Sequence, residues 1–151
     1  MKHILLFTSL FLGATASRVR QRQQITQANI NNFSASTSGA GNGASISFDL
    51  EIPNQVNTRC SYTDETSGST LPSIAQTPCD DESVLWQFRQ DPSQPGTEGQ
   101  YRIVIIHTLE SGAAEAGFHE WSASDFPLEE HAGSSDETVY SGSSDFVVEM
   151  S

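Results

Sequence analysis

Alternation of apolar and polar residues dominates this chain and predicts strands along most of it. The clearest case is residues 44–52, where Ile46, Phe48, Leu50 and Ile52 fall on one face and Ser45, Ser47, Asp49 and Glu51 on the other. That is the pattern of a strand with one buried face and one in water. Pro53 and Asn54 end it, and residues 58–63 resume as a short strand that carries Cys60 and Tyr62 on one side. Residues 84–90 alternate Val84, Trp86 and Phe88 with Leu85, Gln87 and Arg89, which turns two large aromatics toward the core. Residues 101–109 read as the central strand. Tyr101, Ile103, Ile105 and His107 share one face and Val104 and Ile106 the other, so both faces are expected to be covered.

Elsewhere the pattern is weaker. Residues 24–33 place Ile25, Ala28, Ile30 and Phe33 in imperfect alternation, which predicts a strand with a bulge or an irregular end. Residues 34–43 read as a Ser/Gly loop. Its run from Gly39 to Gly43 looks like a phosphate loop but lacks the lysine and the helix that such a loop needs. Residues 64–78 are polar, with only Leu71 and Ile74 suited to a core, and residues 91–99 have the composition of a turn. Residues 112–117 suit at most a single helical turn. Short strands at 118–123, 138–141 and 144–150, around an acidic loop at 125–137, bring the total to about eight. With no alternation of strand and helix, this predicts an all-β fold: one compact antiparallel β-sandwich or barrel over residues 24–151.

Residues 1–16 have the three parts of a secretory leader: a short basic start, an apolar run from Ile4, and the small-residue group Ala14-Thr15-Ala16. The apolar run is far shorter than the ~20 residues that span a bilayer. Residues 17–23 form a basic tail carrying Arg18, Arg20 and Arg22. A secreted chain meets an oxidising compartment, so Cys60 and Cys79, the only two cysteines, are expected to form a disulfide rather than two buried thiols. Asn32-Phe33-Ser34 is a glycosylation sequon, which makes Asn32 a candidate glycan site in the same setting.

Charge narrows the partners. The chain has a net charge of -12, and a body that acidic repels nucleic acid and anionic membrane surfaces. Candidate chemistry is sparse. His107, His119 and His131 fall twelve residues apart, and a zinc or copper site would need their imidazoles to converge, which nothing in the pattern enforces. His119-Glu120 opens like the zinc-protease motif but lacks the second histidine. Glu120, Asp125, Glu129 and Glu130 cluster near Trp121, so an acid pair of the glycosidase kind is conceivable if one carboxyl lies in an apolar cleft. A serine-elbow motif is missing and both cysteines are assigned, so no catalytic, metal or cofactor site is expected. Trp86, Tyr62, Tyr101, Tyr140 and Trp121 are the aromatics that could form a sugar platform. The alternation assigns Trp86 and Tyr101 to the core and leaves Trp121 as the better exposed candidate.

Taken together, Ile30-Asn31-Asn32-Phe33-Ser34-Ala35, Ile46-Ser47-Phe48-Asp49-Leu50, the Cys60 and Pro78-Cys79 pair, Trp86-Gln87-Phe88 and the run from Tyr101 to His107 form a recognisable set. It resembles the small secreted fungal proteins grouped with the Alternaria major allergen. The resemblance spans roughly residues 25–109 and implies an ascomycete origin, a compact antiparallel β-sandwich or barrel, and a secreted role as allergen, elicitor or host-directed effector. The chain has one cysteine pair where that group usually has more, and no functional residue carries over beyond the disulfide. The leading expectation is a secreted interaction protein that binds a host or cell-wall protein or polysaccharide without catalysis. The alternative is an extracellular carbohydrate-binding module or acid-pair glycoside hydrolase, which would show Trp121 in a cleft with two converging carboxylates. The sequence sets no oligomeric state.

Overall fold

A computed structural model describes residues 25–90 and 101–151. The leader expected over residues 1–16, the basic tail over 17–23 and the turn over 91–99 lie outside the described residues. The fold is all-β and antiparallel, as the alternation requires. One four-stranded sheet, sheet A, has the order β10-β1-β2-β3, formed by β1 (Thr26–Thr37), β2 (Ala44–Ile52), β3 (Val56–Asp64) and β10 (Phe146–Met150). The second, sheet B, runs β4-β5-β6-β7, formed by β4 (Ile74–Pro78), β5 (Val84–Gln90), β6 (Tyr101–Thr108) and β7 (Ala114–Trp121). A two-stranded ribbon, β8 (Leu128–Glu129) and β9 (Glu137–Thr138), follows a 3-10 turn at Ala123–Asp125.

The inner faces of the two sheets form one core. Ile46, Phe48, Leu50 and Ile52 of β2 face Trp86 and Phe88 of β5 and Ile103 and Ile105 of β6, all of them essentially inaccessible to solvent. Phe48 meets Trp86 edge-on with ring centroids 5.2 Å apart, the arrangement that aromatic quadrupoles favour. One end of the sandwich is plugged by Phe33, Trp121, Phe126, Tyr140 and Phe146, with Trp121 stacked on Phe33 at 4.9 Å and donating its indole N–H to the Tyr140 hydroxyl at 3.1 Å.

Both sides where the sheets would gape are closed. At the β3/β4 side the Cys60–Cys79 disulfide joins the sheets, helped by Asp80 N–H donating to Arg59 O at 2.9 Å and Asp81 N–H donating to Thr58 Oγ1 at 2.8 Å. At the β7/β10 side Ala116 and Ser151 exchange backbone hydrogen bonds of 3.3 and 3.1 Å. Gly117 is what allows this approach. A Cβ there would lie 2.7 Å from Val148 Cγ1 and would strike the Glu149 carbonyl.

Several elements differ from the sequence expectation. Strand β1 continues to Thr37 through a bulge between Asn31 and Ser34, so residues 34–37 are strand rather than loop. Asn32, at φ 55°, takes the left-handed conformation that asparagine tolerates best among residues with a side chain. Residues 114–117 belong to β7 and not to a helical turn. Strand β4 arises in the stretch expected to be irregular, where Leu71 and Ile74 are buried. The expected Cys60–Cys79 disulfide is present and ties β3 to the residue that follows β4.

Asp64 organises the loop after β3. Its carboxylate accepts hydrogen bonds from Ser67 Oγ (2.6 Å), Ser67 N–H (2.9 Å), Tyr62 OH (2.9 Å), Thr66 N–H (3.1 Å) and Ala44 N–H (3.2 Å). These bonds, led by that from the Ser67 hydroxyl, hold its carboxyl far below the ordinary value of 3.8. A depressed carboxyl stabilises the fold above its unfolded value, and that contribution is lost as pH falls through the folded one. Asp64→Asn should therefore be less stable than the parent at pH 7 and lose less stability than the parent between about pH 4 and pH 2. Urea unfolding at a series of pH values measures both slopes, and parallel slopes would contradict the assignment.

Candidate functional site

The two outer faces of the sandwich have opposite character, and this follows from what each strand puts opposite its core residues. On sheet A most outward positions are small or polar: Ser45, Ser47, Asp49 and Glu51 on β2, with Asn29 and Asn31 of β1 and Asn57, Arg59 and Ser61 of β3 beside them, while Val147 of β10, opposite Asn29, adds an exposed apolar side chain. On sheet B the register sets three rows across β5, β6 and β7. Leu85, Ile106 and Ala116 form the first, Gln87, Val104 and Phe118 the second, and Arg89, Arg102 and Glu120 the third. Pro78 of β4 extends the first row beyond Leu85.

Phe118 is the centre of this surface, 58 % exposed in a position that alternates with the core. Leu85, Val104 and Ile106 are half-buried by one another. Arg102 packs its guanidinium over the Phe118 ring, 5.0 Å from the centroid, and donates from Nε to Glu120 Oε1 at 2.7 Å and from Nη2 to the same oxygen. Together these contacts fix the orientation of the exposed ring. The central strand was expected to have both faces covered. Its outward residues instead form an apolar surface edged by charge, and that surface is the candidate functional site.

The residues singled out from sequence do not gather here. His107 is buried on the inner face of β6, His119 is wedged between Trp121 and Phe146 with ring centroids at 4.7 and 4.4 Å, and His131 sits on the ribbon 3.8 Å from both Glu129 and Glu137. Burial holds the His119 imidazole below its ordinary value, opposed by Asp125 and Glu120. Among the described residues no three histidine, cysteine or acidic side chains are placed to hold a metal ion.

The expectation that Trp121 is the exposed aromatic of the alternative, carbohydrate-binding reading is corrected. Trp121 is 6 % exposed and belongs to the aromatic plug, because it lies in phase with Gly117 and His119 on the inner face of β7. Glu120 points the other way and is paired with Arg102. Glu129 and Glu130 are exposed, and Asp125 is the last residue of the 3-10 turn and accepts from Ser122 Oγ at 3.2 Å. Trp86 and Tyr101 are buried as expected, Tyr140 is half-buried, and Tyr62 donates to Asp64.

The inner face of sheet B holds one polar anomaly. Trp86 Nε1, His107 Nδ1 and Glu115 Oε2 are buried without hydrogen-bond partners, and the register places His107 directly opposite Glu115. Nearby, Asp81, Ser83 and His107 help line a cleft of about 670 Å³. The Ser83 hydroxyl donates to Asp81 Oδ1 at 2.7 Å. Comparison with known proteins adds no relative: no family model matches the chain, and no curated protein matches it significantly.

Proposed function

We propose that this chain is a secreted binding protein of the effector, elicitor or allergen-like kind found in fungi, and that it engages a host or cell-wall protein through the outer face of sheet B without catalysis. The observation that supports the reading is the contrast between the two sheets: apolar rows around an exposed, oriented Phe118 on one, mainly polar residues with a lone exposed Val147 at the β10 edge on the other. An exposed sheet face of that kind is a common mark of an interaction surface. The disulfide favours an oxidising compartment, and residues 1–16 have the pattern of a leader. No helix among the described residues is long and apolar enough to cross a membrane.

The face sets the scale of the interaction. Four strands spaced about 4.8 Å span about 15 Å, and five residues along a strand span about 17 Å, which gives on the order of 250 Å². A stable complex buries about 800 Å² per partner, so the patch supplies the apolar centre and the flanking loops the rim. Phe118→Asp should weaken binding at least 30-fold while leaving the melting temperature nearly unchanged, because the side chain is exposed in the free protein. The test is parallel capture from an extracellular protein fraction and from cell-wall polysaccharide, with the parent chain and the Phe118→Asp variant as baits. A protein retained only by the parent supports the reading. Equal retention by both baits, or capture of polysaccharide alone, overturns it.

A further inference from the structure

We infer that Asn32 carries an N-linked glycan, and that the glycan stands on the polar outer face of sheet A, leaving the outer face of sheet B open. The inference rests on the secretory reading of residues 1–16 and adds a modification site to it.

The bulge in β1 presents the sequon. Asn32 and Ser34 are exposed while Phe33 between them is buried against Trp121 and Phe48. The bulge places the Asn32 amide beside Asp49, to which Nδ2 donates at 2.9 Å, and the Asn32 backbone N–H is satisfied by Asp145 Oδ1 at 2.9 Å. On one side lie small groups, with Ser34 Oγ 3.2 Å from Ser47 Oγ, and on the other the Asp49 carboxylate also accepts from Arg59 Nη1 at 3.2 Å. The Asn32 side chain is itself exposed, so a glycan there extends into solvent.

The chemistry leaves the local structure intact. In transfer, the Asn32 amide nitrogen bonds to C1 of the sugar of a lipid-pyrophosphate-linked oligosaccharide. The bond from C1 to the pyrophosphate oxygen breaks, the lipid pyrophosphate leaves, and the amide gives up one proton to the transferase base. No oxidation or reduction takes place. A primary amide has two N–H groups and the glycosylated amide keeps one, so a donor to Asp49 remains.

Asparagine at a left-handed bulge also has a purely conformational reason to be there. Ser34 separates the two explanations, since it contributes to the sequon and has no part in the positive φ of Asn32. The experiment is expression of the full chain in a eukaryotic secretory host, with intact mass measured on the medium and on the cells, before and after amidase removal of N-glycans. The expected result is a secreted protein heavier than its polypeptide, reduced to polypeptide mass by the amidase, with the increment absent in Ser34→Ala and restored in Ser34→Thr. A secreted chain at polypeptide mass overturns the glycan and leaves the secretory reading standing. A chain retained in cells with its first 16 residues attached and Asn32 unmodified overturns both.

Discussion

Replacing Gly117 by alanine should lower the stability of the fold by about 2–3 kcal/mol, the upper part of the range for forcing an extra carbon into a packed interface. The carbon would meet backbone on the opposing strand, and backbone cannot swing aside as a flexible side chain can. The Ala116–Ser151 hydrogen bonds lie next to the collision, so the strain falls on the contacts that hold β10 to β7. For a chain of this size about 4 °C is lost per kcal/mol, which puts the expected drop near 10 °C. Ala116→Ser is the control: that side chain is exposed on the opposite face, and its melting temperature should stay within a few degrees of the parent. If the glycine variant melts with the parent, the approach of β10 to β7 does not hold the sandwich together.

The second large effect belongs to the opposite side. Closing a loop of this length should contribute ~3 kcal/mol through the entropy of the unfolded chain. The expected loss for the Cys60→Ala, Cys79→Ala double variant is therefore also about 10 °C. Cys60 is fully buried and Cys79 nearly so, which adds a small packing loss. Thermal unfolding with and without a reductant measures this. The parent should fall to the level of the double variant when reduced, and the double variant should not respond. A parent whose melting is indifferent to reductant would show that the two backbone and side-chain bonds from Asp80 and Asp81 suffice. The two changes are on opposite sides of the sandwich and share no partner, so they should add within about 0.5 kcal/mol. Their sum is comparable to the whole stability of a typical domain.

What could be read from the chain alone depended on how strictly each segment alternates. Strand β2, with Ile46, Phe48, Leu50 and Ile52 in phase, and β5, with Val84, Trp86 and Phe88, were legible because large apolar residues mark every second position. Strand β7 was not. Ala114, Ala116 and Gly117 carry no β signal of their own, and the strand forms because β6 pairs with it along its full length and because Gly117 admits β10. The second half of β1 was hidden for a similar reason: Ser34, Ser36 and Thr37 look like a loop until Ala35 is seen buried between them.

The candidate site was half legible. Val104 and Ile106 were recognised as a second apolar face, but a pattern of alternation cannot say whether another layer covers it. Phe118 carried no signal beyond membership of a strand, and its exposure becomes visible only when Gly117 and Trp121 fix the phase of β7. The same ambiguity of phase explains Trp121, which remains the exposed candidate once alternation assigns Trp86 and Tyr101 to the core, and which is in fact buried. Cys60 and Cys79 were readable without any phase at all, since a pair of cysteines leaves one pairing to make.

Closing both sides of the sandwich also decides how a partner can be recognised. An open sheet offers unpaired backbone N–H and C=O groups, and a passing peptide can join it as one more strand regardless of its side chains. Here β3, β4, β7 and β10 each have a neighbour along part of their outer edge, by disulfide or by backbone bonds. Backbone-templated pairing is correspondingly restricted, which under the proposed binding role shifts recognition toward side chains on a finished surface.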